Sequence, residues 1–217
     1  MKTKQLDKQL AAYSTAAGAV LLGASSASGA IIHTDLSAVI LSQSIGTTTY
    51  NVDVNGDTKF TIEQFKFDTS WSSGKISNGT ANASWVGNNN ASAGVNALNS
   101  GANVKTNTSW GQLSSGSNWN LASSNSSSSI TGGNFLGTTG KYIGIRFADD
   151  GNTHYGWIQL DIASDASEIT INGWAYNDVA NGAITAGQEA VPEPSSLALL
   201  AAGAVGIRLL RKRYDTV

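Results

Sequence analysis

The chain has 217 residues, no cysteine, 13% charged residues and a formal net charge of −2. The missing cysteine excludes a disulfide scaffold. The acidic balance argues against nucleic acid, whose binding needs a basic surface, and the basic residues cluster at the two ends, so the middle is more acidic than the total.

Residues 1–30 read as a signal peptide. Lys2, Lys4 and Lys8 form a basic start, and Leu10 to Leu22 is an Ala-rich apolar stretch. Ser28-Gly29-Ala30 supplies small residues for cleavage, so Ala30 and Ile31 flank the expected cut. Cleavage after Ala27 is the alternative. This order implies export through the Sec translocon and processing by signal peptidase. Residues 31–190, roughly 160, suffice for one domain with one core, and residues 191–217 form a separate tail.

The first part of the domain, Ile31 to Phe67, carries strand signals. Tyr50, Val52 and Val54 alternate and so share a face. Asn55-Gly56 is the pair that favours a two-residue hairpin turn. That turn would set Val52 against Lys59 and Tyr50 against Thr61. A loop of odd length pairs Val52 with Phe60 and Tyr50 with Ile62 instead, and is the expectation. The parity change between Ile62 and Phe65 predicts a bulge near Glu63-Gln64.

Asp68 to Gly140 is rich in Ser, Asn, Gly and Thr and would pass for a linker. Trp71, Trp85, Trp110 and Trp119 argue for ordered structure, since large aromatics belong to cores and interfaces. Short strands are expected around Ser84-Trp85-Val86 and from Asn103 to Trp110, with Ser123 to Ser129 a mobile loop.

The last part alternates most clearly. Ile143, Ile145 and Phe147 share one face, as do Ile158, Leu160 and Ile162, and then Ile169 and Ile171. Asp149-Asp150-Gly151-Asn152 is a turn signal. Short strands, polar turns and no amphipathic helix predict an all-β fold. The expected form is an antiparallel β-sandwich of jelly-roll type, flanked by an N-terminal signal helix and a C-terminal transmembrane helix.

Candidate sites are sparse. Asp53, Asn55 and Asp57 have the oxygen spacing of a calcium loop, but Thr58 stands where an EF-hand needs glycine and Gln64 where it needs the bidentate Glu. Asp149, Asp150 and Asn152 form a second acidic turn. No cofactor is required, and calcium is the one ion suggested. His154, Tyr155, Trp157 and Trp174 could line a sugar platform. His33, near the mature N-terminus, is expected to be exposed. Two isolated histidines support no nucleophile–histidine–acid triad, and nothing marks a glycosidase carboxylate pair. The expected protein is not an enzyme.

The tail is the strongest signal. Val191-Pro192-Glu193-Pro194 should be extended and exposed, because proline fixes its own φ and restricts the residue before it. Leu197 to Leu210 can run as a helix of about 14 residues, roughly 21 Å long, against the roughly 30 Å of a bilayer core. Arg211-Lys212-Arg213 marks the cytoplasmic side.

The Pro-Glu-Pro tripeptide, apolar run and basic stop, in that order at a C-terminus, resemble the PEP-CTERM sorting signal of Gram-negative bacteria. The resemblance implies recognition by exosortase, a membrane cysteine protease, with cleavage near Pro-Glu-Pro. The chain would pass through an inner-membrane intermediate, held transiently by the helix, to the cell surface or the extracellular matrix. Residues from Asn134 to Gly187, among them Lys141 to Phe147, His154 to Trp157 and Trp174 to Tyr176, also resemble an exported domain found before such tails, for which no activity is known. The function expected is a non-enzymatic surface or biofilm-matrix protein. A carbohydrate-binding module that tethers exopolysaccharide is the alternative, and a secreted hydrolase comes third.

Overall fold

The structure is a computed structural model that describes residues 30–42, 44–79, 83–86, 94–105, 110–111 and 118–189. The signal helix and the transmembrane helix expected at the two ends lie outside these residues.

All described elements are strands, and they form an antiparallel sandwich. They are β1 (Ile31–Ser42), β2 (Gly46–Val54), β3 (Asp57–Lys66), β4 (Trp71–Asn78), β5 (Ser84–Val86), β6 (Asn103–Val104), β7 (Trp110–Gly111), β8 (Asn118–Asn125), β9 (Ile130–Gly132), β10 (Thr138–Asp149), β11 (Asn152–Ile162), β12 (Glu168–Asn177) and β13 (Ile184–Thr185). A six-stranded sheet has the order β1-β12-β11-β10-β5-β7, a five-stranded sheet the order β2-β3-β4-β8-β9, and β13 pairs with β6 in a small ribbon. Within each sheet, hairpin-linked meanders dominate: β2-β3-β4 in one and β10-β11-β12 in the other. The likeness to a jelly roll lies in the first long strand pairing with the last one, β1 with β12.

Alternation explains the core. Val52, Phe60, Ile62 and Ile76 from the five-stranded sheet meet Ile143, Ile145, Ile158, Leu160, Ile169 and Ile171 from the six-stranded sheet, all at most 1% exposed. Phe60 and Phe147 touch edge to face across this interior, with ring centres 6.4 Å apart. The chain has no cysteine, so packing and not disulfides joins the two sheets.

The β2–β3 hairpin keeps both features that the sequence set in conflict. Val52 pairs with Phe60 and Tyr50 with Ile62, yet Asn55-Gly56 makes a two-residue turn. Both turn residues have positive φ, 53° and 81°, as a type I′ turn requires. Parity is restored by a bulge, with Lys59 the extra residue between Thr58 and Phe60. The odd loop is therefore corrected to an even turn plus a bulge.

The bulge expected near Glu63-Gln64 is absent, for the β3 register runs unbroken from Phe60 to Lys66. Phe65 simply faces outward, where Phe67 and Trp71 give it aromatic neighbours. Gln64 points inward opposite Gly74 and donates to the Ala166 carbonyl at 3.5 Å. A Cβ at Gly74 would lie 2.6 Å from Ile169 Cδ1, so the missing side chain makes room there.

Ser123 to Ser129, expected as a mobile loop, instead forms the end of β8 and its turn into β9. Asn125 Oδ1 accepts from the Ser127 and Ser128 amides and fixes that turn. The strand expected from Asn103 to Trp110 is represented by β6 and β7, and residues 106–109 lie outside the described residues.

The six-stranded sheet is buried on both faces in part. On its outer side, Ile31, Tyr142, Tyr155, Trp157 and Ala175 form a second apolar cluster with Val104 and Ile184 of the ribbon and Ala186 just after it. This cover explains the near-continuous burial of β11 from His154 to Ile158.

Candidate functional site

Beside the ribbon, the outer face of the six-stranded sheet opens into a groove of about 380 Å³. Two irregularities shape it. In β1 the pairing with β12 breaks between Asp35 and Val39, where Ser37 and Ala38 both take positive φ, 49° and 62°. In β12 Asn172 is an extra residue between Ile171 and Gly173. That bulge also reverses the parity of β12, so Trp174 and Tyr176 continue the inward face begun by Ile169 and Ile171. Gly173 is required here, because a Cβ would stand 2.8 Å from the Thr34 carbonyl oxygen.

The floor is aromatic and the rim polar. The Trp157 ring lies 5.5 Å from that of His33 and 5.3 Å, edge-on, from that of Tyr142. Trp157 Nε1 donates to the Gln188 carbonyl at 3.2 Å, which ties the segment after β13 to the floor. Gln159, Asn172, Asp35 and Glu189 bring amides and carboxylates to the rim. Asn172 Nδ2 is oriented by Asp161 at 3.1 Å, and Asp35 Oδ1 accepts from the Ser37 amide at 3.0 Å. Burial, and then the Glu189 charge, raise the Tyr142 phenol above its ordinary value. Among the described residues no Lys or Arg lines the groove. Its volume and its mix of aromatic floor and convergent polar groups suit a small polar ligand.

The four residues proposed as a sugar platform do not form one site. Successive residues of a strand point to opposite faces. Trp157 therefore lines the groove, while His154 lies on the inner face, stacked on Phe147, with Nδ1 donating to the Asn177 carbonyl at 2.9 Å. Tyr155 is 2% exposed and stacked against Trp110. Trp174 packs inward against Tyr176. His33, expected to be exposed, is half-buried in the groove. Asp35, Gln159, Asn172 and Glu189 were not anticipated. The one sequence signal for them is the break in alternation between Ile171 and Trp174.

The two acidic turns meet at one edge of the sandwich. Asn55 Nδ2 donates to Asp149 Oδ2 at 2.7 Å. Lys59, only 3% exposed, places its ammonium 3.0 Å from Asp149 and 3.1 Å from Asp57. Asp53 Oδ1 instead accepts from Thr58 Oγ1 at 2.5 Å. Asp53 is thus engaged with a hydroxyl and Asp57 with an ammonium, while Asn55 turns its amide nitrogen to the facing Asp149. Among the described residues no three His, Cys, Asp or Glu side chains gather as a metal site. Burial works to raise the Asp149 carboxyl, but its bonds to Lys59 and Asn55 outweigh this and hold it below its ordinary value. Burial works to lower the Lys59 ammonium, and its two carboxylate partners outweigh that and raise it.

Ala30 is exposed and Ile31 opens β1. The processing motif Val191 to Pro194 and the basic stop Arg211 to Arg213 lie outside the described residues. Residues 190–213, which contain both, match the PEP-CTERM protein-sorting motif. No curated protein and no solved structure matches the chain.

Proposed function

We propose, from the PEP-CTERM sorting motif that this chain carries, that it is a non-enzymatic component of the cell surface or of the exopolysaccharide matrix. The motif at residues 190–213 is the observation that carries the reading: it implies an exported protein that exosortase recognises and processes. The Sec translocon and signal peptidase would act first, at Ala30–Ile31, and the tail would hold the chain in the inner membrane only until cleavage. A cysteine-free sandwich closed by packing suits cargo that folds after export.

Mass spectrometry of the native extracellular protein tests this. Termini near Ile31 and near Val191 to Pro194 are expected, and an intact Val217 would overturn processing. A P192A/P194A variant should accumulate in the membrane fraction with its tail uncut.

The groove favours a second reading, a carbohydrate-binding role that tethers exopolysaccharide. Gln159, Asn172 and Asp35 bring amides and a carboxylate to the hydroxyl edges of a sugar beside the half-buried His33 ring, while Trp157 and Tyr142, 2% and 8% exposed, support the floor from beneath. Removing one sugar-directed hydrogen bond by Gln159→Ala should weaken binding about fivefold. A glycan array on which wild type and variant bind nothing would remove this reading. Asp35 and Glu189 share the groove, as a hydrolase would require, but neither is buried, whereas a glycosidase's general acid sits in a desolvated pocket. Incubation with matrix polysaccharide should release no reducing ends, and their release would replace binding by catalysis.

A further inference from the structure

We propose that the tip of the β3–β4 hairpin is a separate contact surface for neutral polysaccharide, on the outer face of the five-stranded sheet. Phe67 and Trp71 flank the connection and are 59% and 41% exposed. Their ring centres are 5.7 Å apart at 51°, and Phe65 supports both from 6.4 and 6.3 Å. Ile130, 65% exposed, is in register with Trp71 across Asn125, two strands away.

The rings are held in place rather than left loose. Phe67 N donates to the Trp71 carbonyl at 3.0 Å and closes the hairpin. Asp68 Oδ1 accepts from Ser70 N, Ser70 Oγ and Trp71 N at 2.7, 2.7 and 2.8 Å. Those bonds, the Ser70 hydroxyl first, hold the Asp68 carboxyl below its ordinary value. Ser126 N reaches across to the Ser70 carbonyl at 2.8 Å and pins the tip to the β8–β9 turn. Rigid exposed aromatics lose little entropy when a ligand stacks on them.

The surroundings select the ligand. The neighbouring side chains at the tip include the Ser70 and Ser126 hydroxyls and the Asn125 amide, suited to the edges of a sugar ring, and the Asp68 carboxylate, whose negative charge disfavours an acidic polymer. Of the two lysines nearby in the strands, Lys75 lies over Phe65 at 5.6 Å and is paired with Glu63 at 3.8 Å, and Lys66, which precedes Phe67, acts on the Asp165 carboxylate, so neither stands as a free positive charge for an acidic polymer. Size argues against a protein partner. At these exposures and at roughly 150–250 Å² for a whole aromatic side chain, the patch offers about 300 Å². A stable protein interface takes roughly 800 Å² from each partner.

With the groove on the opposite outer face, the domain would carry two saccharide surfaces facing apart, a geometry that links chains rather than only holding one. The choice of polysaccharide as the polymer rests on the surface or matrix reading above, while the platform itself rests on the geometry of the tip.

Affinity electrophoresis of the full-length chain, in gels containing hydroxyethylcellulose, starch or alginate, is the test. The wild type should be retarded by at least one neutral polymer and not preferentially by alginate. The F67S/W71A variant should lose roughly tenfold in affinity, while Trp71→Phe, which keeps a stacking face, and the groove variant Gln159→Ala should retain the tip's contribution. If the double variant melts early, Phe67→Ser alone, at the more exposed position, takes its place. Unchanged retardation of F67S/W71A, or of Phe67→Ser where it takes its place, preference for alginate, or a concentration-dependent dimer abolished by F67S/W71A would each overturn the proposal. So would a wild type that no polymer retards. If that protein nonetheless carries the processed termini, the export reading stands and the platform alone falls.

Discussion

Replacing Asp149 by alanine should cost about 3 kcal/mol of folding stability, because it leaves the Lys59 ammonium buried with a single exposed partner. Lys59 sits in the bulge that follows the Asn55-Gly56 turn, so its side chain is delivered to the junction of the two sheets. There it faces Asp149, whose side chain is 15% exposed, and Asp57, which is 67% exposed. Asp57→Ala should therefore cost under about 1 kcal/mol, as an exposed ion pair does. Adding Lys59→Met to Asp149→Ala should recover most of the loss, since an apolar replacement for a buried pair is often neutral. Urea unfolding of the four proteins measures this, and an Asp149→Ala loss no larger than that of Asp57→Ala would refute it. The acid limb gives an independent reading. Asp149 is held below its ordinary value, so its contribution is complete at neutral pH and fades as pH falls below about 4. Lys59 is held above its ordinary value, so its contribution persists until pH rises past about 10.4. Asp149→Ala should flatten its share of both limbs.

Phe60→Ala is expected to be the most damaging core substitution, at about 3–5 kcal/mol. Phe60 is fully buried and contacts Phe147 edge to face across the two sheets. Its loss opens a cavity between β-layers that hydrogen bonds hold at fixed register, so the site collapses poorly. A double-mutant cycle with Phe147→Leu should return a coupling of about 0.5–1.5 kcal/mol beyond area burial. A loss below about 1.5 kcal/mol would mean that the sheets can close over the gap.

The sequence was most legible where one rule acted alone. Ile143, Ile145 and Phe147, and then Ile158, Leu160 and Ile162, alternate without interruption, and all are buried. The terminal sorting motif was legible for a different reason, since its three parts are read by order along the chain. Legibility failed where a bulge intervened. Lys59 let a two-residue turn coexist with the Val52–Phe60 pair, and no local pattern around Lys59 announces the extra residue. The candidate groove was hidden for the same reason, because the bulge at Asn172 and the break after Asp35 create it jointly from strands distant in sequence. Gln64 and Phe65 erred the other way. A parity change between apolar residues reads as a slip in register, but Phe65 belongs to an aromatic cluster on the outside and Gln64 meets a carbonyl on the inside.

The left-handed pair Ser37-Ala38 has a bearing on crowding as well as on binding. Among the described strands β1 is an edge of its sheet. An unbroken edge of twelve residues would offer a template on which a neighbouring molecule could add its own strand. The kink divides that edge into Ile31–Asp35 and Val39–Ser42, two short runs whose register does not continue from one to the other. The same two residues that shape a groove therefore also deny a neighbouring molecule a long continuous strand to extend.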